Sequence, residues 1–419
     1  MMKKIKPRTL TTSEKYFFAL YLVGTLISLI VIALRNYGEM DQAPFDNFLT
    51  SPSSRFGDFY GVNDEWTRLG WDGVGYGLSY FPTMYFPVEI LSWTGATPRT
   101  LAIFYLLLFL LITIKLLMKL LVKRSQVTKI AFILMIVTSY PILMVFATAN
   151  LEGIPFLFCL LWLNAIKEKR YRRAAVYLGI ATACKLIPGV FFLFHLFKVD
   201  KKDRFSNAAT FMGAGVLTSV VAIIFLPTGV LSNGIKQIVN IYNNTKASQT
   251  KYYELMFYSE SGTHFGHSFL NGVHALFGEN TLPSREWGLL IAASLVIFIL
   301  SPLLLSFFVN REIQAFDVLL VSSCIACLAP PTSTDYKLWY FLIPILYIAS
   351  LDYKVDGPWY LYLIALLLFA KPYLYTGVQP WASATAYIPP ITMILLILSI
   401  NFQLIKDLVS PKVSKLSSS

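Results

Sequence analysis

Charge is scarce in this chain. Only 14% of its 419 residues are Asp, Glu, Lys or Arg, against about a quarter in a soluble domain. A chain that is 56% hydrophobic with a mean hydropathy of +0.60 cannot cover its apolar surface with polar groups. Most of that surface must face lipid, and no soluble domain of ~100 residues fits between the apolar runs. Cysteine is scarce too. Cys159, Cys184, Cys324 and Cys327 all lie in apolar segments, which excludes a disulfide framework. The Cys324–Cys327 spacing resembles half a zinc site, but no second pair or nearby histidine completes it, so packed thiols are expected. No metal-ligand cluster and no internal repeat is visible, and no cofactor is called for.

What is present is a series of apolar runs separated by short polar segments. The runs fall at about 16–34, 100–121, 130–148, 154–166, 174–197, 207–226, 287–309, 313–329, 336–350, 358–376 and 386–405. The expected fold is an all-α polytopic membrane protein, a single bundle with about 10–12 membrane helices. MMKKIKPR precedes the first run and no small-residue cleavage site follows it, so that run reads as a retained signal anchor. The formal net charge of +12 does not indicate nucleic acid. The basic residues sit in short clusters such as KEKRYRR (167–173), which is the positive-inside pattern. It predicts a multi-pass protein of the plasma (inner) membrane with both termini cytoplasmic. Two large extracytoplasmic segments result, 36–99 and 228–286. The first holds eight acids and two arginines between Tyr37 and Pro98.

The run at 174–197 is flanked on both sides by basic sequence, KEKRYRR and KVDKKDR. Both flanks belong inside. A broken pair of short helices that enters and leaves by one side resolves this, with Pro188-Gly189 as the natural break and Lys185 beside it. Irregular backbone at membrane depth is tolerated only where it lines a cavity or is buried in protein, so 184–189 is a candidate site.

Candidate chemistry gathers outside. The first loop is rich in aromatics, glycine and carboxylates. Asp58, in Arg55-Phe-Gly-Asp58-Phe-Tyr60, is the best candidate general base; as an alternative it caps a helix or pairs with Arg55. Asp64, Glu65 and Asp72 are weaker candidates. Aromatics such as Tyr60 offer stacking faces for sugars. At the turn Asn150-Leu-Glu152-Gly153, Glu152 can orient a sugar, pair with a lysine or sit exposed. Lys185 either holds a lipid phosphate as a point charge or snorkels to the interface. His267, in the second outer segment, is a phosphate or sugar contact or a structural histidine. Asp335, Tyr336 and Lys337 follow Pro330-Pro331-Thr-Ser-Thr. Asp335 and Lys337 can pair with each other, or Lys337 can bind phosphate. One face thus collects Asp58, Glu152, His267, Asp335 and Lys337.

Three features carry a resemblance. Gly57-Asp58-Phe59-Tyr60 is followed by Tyr80-Phe81-Pro82 and Tyr85-Phe86-Pro87. Ala149-Asn150-Leu-Glu152-Gly153 leads through a basic turn to Ala183-Cys-Lys185-Leu-Ile-Pro188. Pro330-Pro331-Thr-Ser-Thr-Asp335-Tyr336 precedes an apolar span. In these the chain resembles the GT-C glycosyltransferases, most closely glycosyltransferase family 87, the polyprenyl-phosphate-dependent mannosyltransferase-like proteins. The resemblance implies an inverting transfer of a hexose (mannose by default) or pentose from a polyprenyl-phosphate sugar to a lipid or glycan acceptor. Asp58 would be the base, with Lys185, Lys337 and His267 toward the donor phosphate. Asn150, Glu152, Asp335, Tyr336 and Tyr60 would lie toward the acceptor or sugar. It implies no metal and no nucleotide-binding domain. Two other classes compete. A transporter or flippase of a lipid-linked substrate should show paired repeats, which are not visible. A polysaccharide polymerase or ligase should carry an arginine-rich outer loop, whereas this one is acidic.

Overall fold

A computed structural model describes residues 7–37, 56–60, 82–225, 268–270, 272–273, 285–308, 313–330, 333, 335–351, 359–369 and 384–409. Among these residues the chain is helical. The sole β feature is an isolated bridge between Arg8 and Arg124. Each apolar run expected from the sequence lies on a helix or a helix pair. The chain is an all-α, multi-pass membrane protein.

Four helical stretches are long and apolar enough to cross a bilayer: Thr12–Ile30, Pro98–Leu120, Lys201–Ala222 and Ile388–Lys406. They lie within or along α1 (Thr12–Tyr37), α3 (Pro98–Leu120), α9 (Arg204–Phe225) and α14 (Ala384–Val409). A fifth span is a bent pair, α4 (Gln126–Thr138) and α5 (Tyr140–Thr148), which meet at 54°. The bend sits at Ser139, whose backbone is extended, and Pro141 in the next turn has no N–H to continue the ladder. Among the described residues there are also six shorter apolar stretches of 10–17 residues, one of them part of the 24-residue helix Arg285–Phe308. At 1.5 Å per residue, fourteen residues reach ~21 Å, against a hydrocarbon core of ~30 Å. The described residues thus hold four or five full spans together with shorter apolar helices, as expected of an all-α polytopic bundle.

The enclosure follows from which faces are apolar. α1, α3, α9, α10 (Arg285–Phe308) and α14 each carry an exposed apolar stripe. Leu107, Leu108 and Leu111 on α3 and Met212, Val216 and Leu217 on α9 are examples. In water these stripes would be a liability; in lipid they are the solvent-facing side. The axis is built from α11 (Ala315–Leu328), a 3₁₀ segment Asp335–Phe341 and α12 (Leu342–Ser350). Every residue of α12 is buried.

α6 (Gly153–Lys167) and α7 (Tyr171–Cys184) form an antiparallel hairpin, and α9 lies along α7. Gly179 makes that last contact possible: a Cβ there would meet the Phe211 carbonyl. The run at 174–197 is broken, as both basic flanks require. α7 stops at Cys184, Lys185 is extended (φ −157°, ψ 134°), and a 3₁₀ turn Ile187–Phe191 leads into α8 (Phe192–Lys198). The break comes at Lys185-Leu186, ahead of Pro188-Gly189. Pro188 sits inside the 3₁₀ turn, where its missing N–H is harmless. α7 and α9 both start from the basic end of the bundle, so the tip of this hairpin carries Lys185 toward the other end.

Candidate functional site

The site starts from a strained turn. α5 ends at Ala149, a non-glycine residue with φ +51°, a conformation that costs roughly 1 kcal/mol or more. The Asn150 N–H reaches back to the Val145 carbonyl at 3.1 Å. The Asn150 side chain accepts from the Glu152 N–H at 2.8 Å. The Tyr105 hydroxyl on α3 donates to the Asn150 carbonyl at 2.8 Å. This close approach depends on Gly153, where a Cβ would stand 2.5 Å from that hydroxyl. The turn and α3 are thereby locked together.

Asp58 is brought to the same turn from the first loop. Phe56, with φ +60°, donates its N–H to the Ala147 carbonyl at 2.8 Å. One helical turn at 57–60 follows. Phe59 is fully buried and stacks on Tyr105, with ring centroids 6.2 Å apart; burying such a ring contributes about 1.5–3 kcal/mol. Asp58 is held between these two anchors. Its Oδ2 accepts from Asn150 Nδ2 at 2.6 Å. Burial pushes its pKa up, and the nearby Glu152 carboxylate pushes the same way; bonds from Thr148 and Asn150 and the charge of Lys185 pull down, and the net direction is up. Tyr60, the expected sugar-stacking residue, is partly exposed and packs edge-on to Phe56 at 6.1 Å.

Glu152 is fully buried. Its Oε1 accepts from Lys185 Nζ, and its Oε2 accepts from Trp339 Nε1 at 3.4 Å. The pairing with a lysine open to it from sequence is realised with Lys185, at the tip of the broken hairpin. Lys185 Nζ also lies 5.5 Å from the centre of the Tyr336 ring. Lys337, 6% exposed, stands close enough for both Lys185 and Glu152 to act on its charge. The structure thus brings together Asp58, Asn150, Glu152, Lys185, Tyr336 and Lys337. They come from the first loop, the α5–α6 turn, the α7 break and the segment before α12.

His267 and the side chain of Asp335 lie outside the described residues, as do Arg55, Asp64, Glu65, Asp72, His264 and His274. Sequence reasoning missed Tyr105, Thr148 and Trp339. Tyr105 is the hydrogen-bonding side chain in the apolar stretch LAIFYLLLFLL, which was a usable signal. Trp339 sits two residues after Lys337 in an aromatic run that reads as core. Among the described residues no group of three or more His, Cys, Asp or Glu could hold a metal ion. The four cysteines are buried thiols, none of them in a disulfide.

Lipid-facing helices around a buried axis, with two carboxylates and two lysines gathered at one end, define a polytopic membrane protein with a charged site at the end of its bundle. The model of glycosyltransferase family 87 matches residues 78–331. That is more than half of the chain, which belongs to this family and is a membrane glycosyltransferase of GT-C type. The match contains the block from Asn150 to Pro188; Asp58 stands upstream of it, and Asp335 and Lys337 just beyond it. No curated protein and no solved structure matches the chain.

Proposed function

We propose that the chain moves a sugar from a polyprenyl-phosphate donor to a hydroxyl of a lipid or glycan acceptor, with inversion, on the extracytoplasmic face of the plasma membrane. The observation that carries this reading is the placement of Asp58 beside the buried Glu152 and its half-buried partner Lys185, with the buried Lys337 close to that pair, in a protein whose family transfers sugars. Asp58 takes the proton of the acceptor hydroxyl. The acceptor oxygen bonds to C1 of the sugar while the bond from C1 to the phosphate oxygen breaks. The electron pair leaves on the lipid phosphate, where Lys185 and Lys337 stabilise the charge. A phosphodiester carries one negative charge. With Glu152 and Asp58 both ionised the two lysines balance the two carboxylates; once Asp58 takes the proton, one net positive charge faces the phosphate as it leaves. Tyr60 and Tyr336 supply aromatic faces to the sugar. Mannose is the default sugar by family, with His267 assigned to the donor phosphate and Asp335 to the acceptor or sugar.

Three supports are independent of one another. The basic clusters lie at the far end of the bundle from Asp58, which supports an extracytoplasmic site by the positive-inside rule. A polyprenyl chain needs a lipid-facing entry, and the apolar stripe of α9 adjoins the α7 break that carries Lys185. A phosphate leaving group needs cations and no nucleotide-binding domain. The test is a transfer assay with purified protein, short-chain polyprenyl-phosphate sugars and a membrane lipid extract as acceptor source. Release of polyprenyl phosphate by wild type and its loss in Asp58→Asn is the expected result. Equal release by both proteins would remove Asp58 from the reaction.

A further inference from the structure

Asn150 is 2% exposed, and its side chain is engaged at both ends within the protein. Nδ2 donates to Asp58 Oδ2 at 2.6 Å, while Oδ1 accepts from the Glu152 N–H at 2.8 Å. Its carbonyl is fixed from a third direction by Tyr105 at 2.8 Å. One amide therefore touches the carboxylate that faces the acceptor and the backbone of the carboxylate that holds Lys185. A residue that merely shaped the turn would need its acceptor oxygen for Glu152; it would have no use for a donor aimed at Asp58. With the amide N–H on Oδ2, that oxygen serves as an acceptor, and a proton taken up by Asp58 is directed to Oδ1.

We propose that Asn150 is a positioning residue: it aims the Asp58 carboxylate, keeps the bonded oxygen as an acceptor and ties its position to the Glu152–Lys185 pair. The proposal rests on Asp58 being the base. Asn150 occupies Oδ2 and Thr148 also hydrogen-bonds the carboxylate; the proton of the acceptor hydroxyl goes to Oδ1. A shift of the turn moves base and lysine together, so the acceptor hydroxyl and the phosphate stay in register during the transfer. Misplacing a reacting group by about 1 Å can cost ~10²-fold in rate.

Two substitutions separate the two bonds. Asn150→Asp keeps an acceptor for the Glu152 N–H and loses the donor to Asp58. It places a second carboxyl 2.6 Å away, beside the Lys185 and Glu152 charges that already face Asp58. Carboxyls this close cannot both ionise, so one must hold a proton to higher pH. Asn150→Ala loses both bonds. The measurement is turnover against pH for wild type, both variants and Asp58→Asn, with polyprenyl-phosphomannose and membrane lipid extract. We expect kcat to fall ~10²-fold in each Asn150 variant with the KM for the donor held within about twofold. The acid limb of kcat should move to higher pH, further in Asn150→Asp than in Asn150→Ala. If Asn150→Ala does not fold, Asn150→Asp carries the test alone. An acid limb unshifted in the Asn150→Asp enzyme, or kcat equal to wild type, overturns the role of Asn150 while leaving Asp58 in place. Wild-type turnover by Asp58→Asn would instead remove the base on which the proposal rests.

Discussion

The bundle holds two buried ion pairs at opposite ends, and they are built differently. At the basic end, Arg124 meets Glu14 at 2.5 Å and 3.1 Å through its two terminal nitrogens. Its Nε donates to the Ala349 carbonyl at 2.7 Å, and Nη1 also reaches the Thr9 carbonyl at 3.3 Å. Arg8 lies alongside, donating to the Leu351 carbonyl at 3.1 Å. The Arg124 and Glu14 side chains are 2% and 5% exposed. This pair joins the N-terminus, the turn after α3 and the end of α12. At the other end Glu152 is completely enclosed, whereas Lys185 is 14% exposed and rests on a backbone break. A planar guanidinium with its donors spoken for makes a clamp. A point charge on a flexible stem, next to a second lysine and a candidate base, can exchange its carboxylate for a phosphate. Burial alone does not set purpose; what separates the pairs is the cation, a planar guanidinium shared among Glu14, Thr9 and Ala349 at one end and an ammonium at a backbone break at the other.

Several substitutions would break or sharpen this contrast. The largest effect is expected from Asp58→Asn, which should lower kcat about 10²–10⁴-fold with no change in melting temperature, in the transfer assay described above. Next comes the clamp. Arg124→Met alone leaves Glu14 buried without its partner and should cost about 3–5 kcal/mol. Adding Glu14→Gln should restore most of that stability in a denaturation series. Activity per folded molecule should be unaffected in the double variant.

Lys185→Met strands Glu152 in the same way, so its loss of stability must be separated from its loss of function. With Glu152→Gln added, stability should return toward wild type while turnover does not. Recovery of both together would make the second pair a clamp like the first. The pH profile gives a smaller signal. Burial raises the pKa of Asp58, and a base works only when deprotonated. Turnover should therefore begin to fall, as pH is lowered, above the ordinary aspartate value of about 4. The smallest effect is expected for Phe59→Leu. Trimming this buried ring should cost on the order of 1 kcal/mol, and kcat should drop by more than stability does, because Phe59 anchors the turn that carries Asp58.

Much of this was legible in the sequence. The apolar runs located the helices, and the two basic flanks of 174–197 pointed to a broken helical pair. Lys185 and Glu152 stood out because charge is expensive in or near the membrane, Asp58 because it lies in an outer loop rich in carboxylates and aromatics, and Asn150 through the family resemblance. The exact break was not legible. Pro188-Gly189 is the stronger breaker by residue type, yet a proline in the first turn of a 3₁₀ segment breaks nothing, and the chain bends earlier, where Lys185 reaches its carboxylate. Nor was the clamp. Arg124 read as one more basic residue in a flanking cluster, and its partner Glu14 lies 110 positions away in the chain. Tyr105 and Trp339 were hidden for a related reason: an aromatic in an apolar run looks like core, and only contacts between distant segments show which of them carries a hydrogen bond to the site.

The most direct test of the account is the binding of polyprenyl phosphate, the expected leaving product, to three purified proteins in nanodiscs. These are wild type, the Lys185→Met/Glu152→Gln double variant and the Arg124→Met/Glu14→Gln double variant. The account predicts that loss of the Lys185 pair weakens binding about tenfold or more, as for a charge-assisted phosphate contact, while loss of the Arg124 pair leaves it unchanged. Equal affinity in all three would contradict it, because the pair at the Asp58 end would then be structural and the phosphate would have to bind elsewhere.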